Sequence, residues 1–121
     1  MTQDKRKYPR YRVKESAFVV LRNHDSRLGQ VIDISKNGLA MKYIAGEDSL
    51  DNLLQLDIFL SNTEFYLKSV RFKTTSDIQF SGASSVDGVD LRRRGGQFGK
   101  LTKKQTADVE LFIRQYTLGG I

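Results

Sequence analysis

The sequence contains no cysteine and a single histidine, His24, which restricts the chemistry that the chain can perform. Without thiolates, neither a disulfide nor a cysteine-based metal site can form. No histidine pair has a metal-binding spacing, and no glycine pattern of the GxxxxGK(S/T) or GxGxxG kind opens a helix. His24 lies in RNHDSR, which is typical of a turn and offers no neighbouring nucleophile or metal ligand. The chain is therefore predicted to bind a partner without cofactor or catalysis.

Long apolar runs are also missing. The first residues, MTQDKRKYPRYRV, are too polar for a signal peptide or a membrane span, so we expect a cytoplasmic protein that does not insert into a membrane. A length of 121 residues predicts one domain.

Basic residues outnumber acidic ones, 20 to 14, and they are concentrated in two segments. Residues 5–14 carry six basic side chains and no acidic one, and residues 92–104 carry six more, again without an acid. Two such segments indicate an anionic partner, namely nucleic acid, a nucleotide or an acidic protein surface. A solvated surface that serves only solubility is the alternative.

Strand patterns dominate the first two-thirds of the chain. They cover residues 17–22, 29–35, 39–43, 54–60, 65–75 and 91–101. In the second of these, we expect Ile32 and Ile34 to face the core, which places Asp33 and Ser35 together on the opposite face. The Asn37-Gly38 pair that follows is a strong hairpin signal, because both residue types tolerate a positive φ.

Two further local patterns complete the predicted architecture. The apolar alternation of residues 65–75 changes parity, which predicts a β-bulge or a sharp bend near Lys68-Ser69. Thr102 and Gln105 form a capping box for a helix over about 102–117, and Gly119-Gly120 is predicted to end it. The fold class is therefore mainly β, a six-stranded antiparallel β-barrel with a C-terminal α-helix.

Two motifs stand out as candidate chemistry. One is RxxxR at Arg6 and Arg10, and the other is DxSxxG at Asp33, Ser35 and Gly38. Each motif by itself is weak, since arginines four apart are common and DxS before a turn is ordinary hairpin sequence. Their occurrence in this order, just before and within the predicted barrel, makes chance less plausible.

The sequence resembles a PilZ domain, a bacterial receptor module for the second messenger cyclic di-GMP. The segments that carry the resemblance are RKYPRYRV, VIDISKNGLAM, LDIFLSNTEFYLKSVRFKTTSD and RRRGGQFGKLTKKQTADVELFI. The family fold is a six-stranded split barrel with a C-terminal helix. The resemblance implies that Arg6 and Arg10 contact phosphate and guanine, which suits a planar guanidinium fork.

The resemblance also assigns roles to the second motif. Asp33 is expected to accept hydrogen bonds from the N1–H and N2–H₂ groups of guanine, and Ser35 to add a hydroxyl contact. Gly38 is expected to shape the turn and leave room for a base. Three weaker candidates are Lys5, Asn37 and Arg94; a cation at Lys5 bears on whether one or two ligand molecules bind.

The expected organisation is a basic N-terminal arm, residues 1–16, followed by the barrel and helix, residues 17–121. We expect the arm to be mobile until cyclic di-GMP pins it to the barrel, and the signal to leave through an unidentified protein partner. Two alternatives stay open: a barrel that binds RNA or DNA with little sequence preference, and a PilZ-type protein-interaction module that binds no nucleotide.

Overall fold

The structure is a computed structural model that describes residues 8–13, 17–22, 27–45, 51–61, 63–79 and 90–120. The elements are β1 Tyr11–Val13, β2 Ala17–Arg22, β3 Arg27–Ser35, β4 Gly38–Ala45, β5 Leu53–Leu60, β6 Tyr66–Gln79, β7 Asp90–Phe98, α1 Lys103–Tyr116 and β8 Thr117–Gly120. The predictions for Lys5, Arg6 and the turn at His24 lie outside these residues. Across the described ranges, no helix has the length and apolar character needed to cross a membrane.

Strands β2 to β7 form a closed antiparallel barrel in the order β2-β5-β6-β7-β4-β3, and pairing between β3 and β2 closes the ring. With α1, the one helix in the described part of the chain, this confirms the predicted fold class. Two short strands lie outside the ring, because β1 pairs with β3 and β8 pairs with β1.

The C-terminal glycines do not end the helix as predicted. Helix α1 ends at Tyr116, where Thr117 turns to an extended conformation with φ −110° and ψ 161°. Gly119 and Gly120 belong to β8, where they pair with Arg12 and Tyr11. The pairing partner lies about a hundred residues away in sequence, so the local pattern carries no sign of it.

A bulge in β3 changes which residues face the core. Val31 pairs with Met41 and Asp33 pairs with Ala40, so Ile32 is an extra residue without a partner. Val31 and Ile34 are buried in the core, whereas Ile32 is half-buried, which corrects the expectation for Ile32. Asp33 and Ser35 still share the outer face, because the alternation is regular after the bulge.

The predicted bulge at Lys68-Ser69 is confirmed. Leu56 pairs with Val70 and Ile58 with Leu67, and Ser69 has a φ of 58°. Because the bulge shifts the alternation by one residue, apolar side chains on both sides of it point into the core.

Helix α1 is fastened to this bulge by its capping box. The Gln105 backbone N–H donates to Thr102 Oγ1 at 3.0 Å, and the Thr102 N–H donates to Gln105 Oε1 at 3.0 Å. The Gln105 amide Nε2 also donates to the Lys68 carbonyl at 3.1 Å. Val109 and Phe112 on the inner helix face are buried against the barrel.

Candidate functional site

A groove of about 430 Å³ lies on the outer face of the barrel, where the β3–β4 hairpin meets β4, β7 and β6. Its lining residues are Tyr8, Arg10, Ser35, Asn37, Gly38, Leu39, Ala40, Thr75, Ser76, Arg93, Gly95, Gly96 and Gln97. Residues from both sequence motifs therefore meet in one place, although they are far apart in sequence.

The floor of the groove is built from residues with little or no side chain. Ala40 on β4 pairs directly with Gly95 on β7, and Gly38 pairs with Gln97. A Cβ atom added at Gly38 would lie 2.1 Å from the Gly96 carbonyl oxygen, so no side chain fits there. The floor is consequently flat, so a planar group can lie on it.

This close approach is the structural reason for glycine at position 38. The turn itself consists of Lys36 and Asn37, and Gly38 begins β4 opposite Ser35. Neither Asn37 nor Gly38 has the left-handed φ that the sequence signal suggested. The glycine is needed because β4 and β7 pack tightly, and not because the turn requires its backbone freedom.

Ser35 and Asn37 hold the hairpin against β7. The buried Ser35 hydroxyl donates to Asn37 Oδ1 at 2.7 Å, and the Asn37 N–H donates to Ser35 Oγ at 3.3 Å. The Phe98 N–H donates to the Asn37 carbonyl at 2.7 Å. Ser35 and Asn37 therefore have a structural role at the rim of the groove, in addition to any contact with a ligand.

Asp33 lies beside the groove and does not itself line it. Its side chain is 7% exposed, and Oδ2 is 3.2 Å from Nη2 of Arg93. Arg93 lines the groove, with 32% of its side chain exposed. The acid and the groove are thus connected through a residue that the sequence analysis did not single out.

Arg94 points to the other side of β7, away from the groove. Its side chain is 4% exposed and its Nε is 3.1 Å from Oδ2 of Asp77. Asp77 also accepts a hydrogen bond from the Tyr43 hydroxyl and one from Arg92 Nε at 2.6 Å. Burial, reinforced by the bond to Asp77, raises the pKa of Tyr43 to about 12. Arg94 is therefore part of an internal polar network.

Alternation along β7 could have distinguished the two arginines. Phe98, an aromatic residue in the strand predicted over 91–101, packs against the core. Residues an even number of positions away, including Arg94, must then face inward as well, while Arg93, Gly95 and Gln97 face outward. The register of β7 with β4 has no irregularity that would alter this parity.

The outer face carries a second buried carboxylate, Asp57 on β5, which does not line the groove. Asp57 is 0% exposed and accepts hydrogen bonds from Arg22 Nε at 2.6 Å, the Tyr66 hydroxyl at 2.8 Å and the Ser69 N–H at 2.8 Å. Burial opposes ionisation, but the bonds from Arg22, Ser69 and Tyr66 outweigh it and lower the pKa of Asp57. This group stabilises the β6 bulge.

Arg10 and Tyr8 line the groove from the N-terminal side, and Arg10 is exposed. Arg12, two residues later, pairs with Asp33 across β1 and β3 and is exposed. Within the described residues, no cluster of acidic or histidine side chains could hold a metal ion. The site is thus a cationic groove with a flat floor on the outside of a small β-barrel.

Comparison with known proteins identifies this kind of barrel. No family model and no curated protein sequence matches the chain. Among solved structures, the PilZ domain with c-di-GMP of YcgR from Escherichia coli is similar, with a TM-score of 0.71 at 10% identity over 93% of this chain and 92% of that one.

Two longer proteins contain a similar barrel. The K. pneumonia MrkH–c-di-GMP complex gives a TM-score of 0.72 at 17% identity, over 93% of this chain and 52% of that one. The Bacillus subtilis inhibitor of motility, MotI/DgrA, gives 0.66 at 17% identity, over 93% and 52%. The chain thus spans about half the length of these two proteins. Its fold is PilZ-like.

Proposed function

We propose that the chain is a receptor for cyclic di-GMP that performs no catalysis. The observation that carries this proposal is the convergence of Arg10 from the first motif with Ser35 and Gly38 from the second in one groove beside Asp33. YcgR and MrkH, which share the fold at low identity, are described with c-di-GMP. The proposal transfers that ligand to this groove on the strength of its own residues.

The groove chemistry suits a guanine dinucleotide. A purine ring would lie on the floor formed by Gly38, Ala40 and Gly95, which carry no side chain larger than a methyl group. Arg10 supplies a guanidinium for phosphate or for the guanine edge. Arg6 and Lys5 would extend this cationic side along the arm.

We further propose that ligand binding reorders the arm and that a protein partner, in the cytoplasm, receives the signal. The segment after Arg10 supports this route, because β1 pairs on one side with β3 and on the other with β8. A change at Arg10 can therefore affect both β3, whose Ser35 lines the groove, and β8, which follows α1. Trypsin digestion with and without cyclic di-GMP tests the idea: protection of the basic arm is expected, and unchanged cleavage would contradict reordering.

Isothermal titration calorimetry tests the ligand directly. Wild-type protein should release or absorb heat with cyclic di-GMP, and Arg10→Ala should weaken binding about tenfold or more, because a charge-assisted contact is lost. Arg71→Ala is the matched control, since Arg71 is an exposed strand arginine that does not line the groove. No binding at tens of micromolar, or equal affinity of Arg10→Ala and wild type, would refute the proposal.

A competition experiment separates nucleotide recognition from general binding of nucleic acid. Single-stranded RNA bound through counterion release should be lost steeply as salt rises. A guanine-specific groove should instead prefer cyclic di-GMP to cyclic di-AMP at fixed salt. Displacement of RNA without preference between the two dinucleotides would favour the nucleic-acid alternative, and binding of neither would favour a protein-interaction module.

A further inference from the structure

We propose that the Arg93 guanidinium exchanges partners when the ligand binds. It moves from Asp33 to a phosphate of the ligand, and Asp33 then becomes available to recognise guanine. This inference rests on the proposed function and adds a ligand-binding residue on β7 that lies outside both sequence motifs. Its basis is the Asp33–Arg93 ion pair at the side of the groove.

The position of Arg93 places its guanidinium over the groove floor. Arg93 lines the groove and faces outward with Gly95 and Gln97. A Cβ atom added at Gly95 would lie 3.9 Å from Nη1 of Arg93, so this end of the side chain reaches over the glycine. A base or phosphate entering the groove would therefore meet Arg93 at once.

An exchange would leave both oxygens of Asp33 fully available to guanine. Guanine offers two adjacent donors, N1–H and N2–H₂, which a carboxylate accepts best with both of its oxygens. In the structure, Nη2 of Arg93 donates a hydrogen bond to Oδ2 of Asp33 at 3.2 Å. If Arg93 kept this contact, guanine would have to compete for the same oxygen on a nearly buried acid.

The ion pair is weak enough to be exchanged. It is a single contact at 3.2 Å, and the arginine side is 32% exposed, so solvent screens it. Phosphate is a suitable new partner, because the guanidinium fork matches its oxygens and can contact two of them. A ligand with two phosphates can use Arg93 in addition to the cationic side chains of the N-terminal arm.

A double-mutant cycle distinguishes a direct contact from mere positioning of Asp33. Cyclic di-GMP affinity is measured by calorimetry for wild type, Arg93→Ala, Asp33→Ala and the double variant. If Arg93 contacts phosphate while Asp33 contacts guanine, each single change weakens binding about tenfold and the double change about a hundredfold or more, because the ion pair that binding must break is absent from both single variants. If Arg93 acts only by holding Asp33, the double variant binds like Asp33→Ala, which would overturn the inference.

Three controls make the result specific. Arg71→Ala removes an exposed strand arginine outside the groove and should keep wild-type affinity. Urea unfolding of all variants verifies that each is folded, and Arg93→Lys should recover part of the lost affinity, because it keeps the charge without the fork. Arg93→Ala that binds as well as wild type would also overturn the inference. If wild type itself does not bind, the proposed function fails with it; a wild type that binds, together with a double variant that binds no more weakly than Asp33→Ala, refutes the exchange alone.

Discussion

Asp57 and Asp33, two buried carboxylates on the outer face of the barrel, are used in opposite ways. Asp57 is 0% exposed and accepts hydrogen bonds through both oxygens, from the side chains of Arg22 and Tyr66 and from the backbone of Ser69. Asp33 is 5% exposed, and among the described residues its partner is Arg93, through one oxygen. Similar burial therefore accompanies very different degrees of hydrogen bonding.

The difference indicates which acid serves the fold and which is available to a ligand. A buried carboxylate with all its partners inside the protein has nothing left to offer, and its removal leaves several groups unsatisfied. A buried carboxylate with one screened partner retains acceptor capacity beside an open groove. Incomplete pairing next to a cavity is thus the structural mark of the candidate site.

The largest expected effect separates the two acids by stability. Asp57→Ala should lower the free energy of unfolding by about 3 kcal/mol, because the bulge N–H of Ser69, the Arg22 guanidinium and the Tyr66 hydroxyl lose their acceptor. Asp33→Ala should lower it by less than about 1 kcal/mol. Urea denaturation measures both; equal losses for the two variants would remove the distinction.

The next effect concerns the floor of the groove. Gly38→Ala should destabilise the protein by about 2 kcal/mol, because the new methyl group meets the Gly96 backbone, which cannot move independently. Gly95→Ala is the control: its methyl group would lie 3.2 Å from the Ser76 hydroxyl, a movable side chain, so stability should fall by less than about 1 kcal/mol while ligand affinity drops. Thermal unfolding and calorimetry together check the pair, and a well-tolerated Gly38→Ala would contradict the close-packing argument.

A smaller effect tests Asp33 as the group that recognises guanine. Asp33→Asn keeps the size of the side chain but replaces one acceptor oxygen with a donor that opposes the guanine donors. Affinity for cyclic di-GMP should fall about tenfold, or about 1.4 kcal/mol, with little change in unfolding. Asp57→Asn, measured under conditions where it is folded, should bind normally. The reverse pattern would exchange the roles assigned to the two acids.

The smallest effect is expected in the pH dependence of stability. The folded pKa of Asp57 is lowered, so its stabilising contribution is present above its unfolded pKa of about 4 and is lost as the pH falls through the folded pKa. The stability gap between wild type and Asp57→Asn should therefore narrow between pH 6 and pH 2, as urea titrations at each pH would measure. A stability gap that widens in acid would show that the ionised form of Asp57 does not stabilise the fold.

Sequence patterns predicted the architecture wherever one alternation was unambiguous. The irregularity in β6 was visible because a change of apolar parity within one strand indicates a bulge or a bend. The β3 bulge was hidden, since Val31 and Ile32 are both apolar and either can face the core. Strand β8 was missed because its glycines also suit a helix end, and its partner β1 is distant in sequence.

The site shows the same division. The alternation of a β-strand alone predicts that Asp33 and Ser35 lie on one face. The RxxxR motif, together with DxSxxG, identifies Arg10 as a candidate ligand-binding residue. The sequence named Arg94 as a candidate ligand-binding residue, but strand parity favours Arg93. Because Phe98 faces inward, residues an odd number of positions away, including Arg93, face outward. The ion pair between Asp33 and Arg93, 60 residues apart, was not predictable, because it depends on which strands become neighbours.

By itself, the sequence determined the barrel-and-helix class, the β6 bulge, the capping box and the shared face of Asp33 and Ser35, because each follows from local periodicity and backbone preference. The tertiary structure alone decided that glycine is required at position 38 and that Arg93 and not Arg94 borders the groove. It also decided that, among the described residues, Asp57 accepts hydrogen bonds through both oxygens whereas Asp33 pairs through one. Those features arise from strand neighbours brought together across the closed barrel, and local sequence carries no information about distances between them.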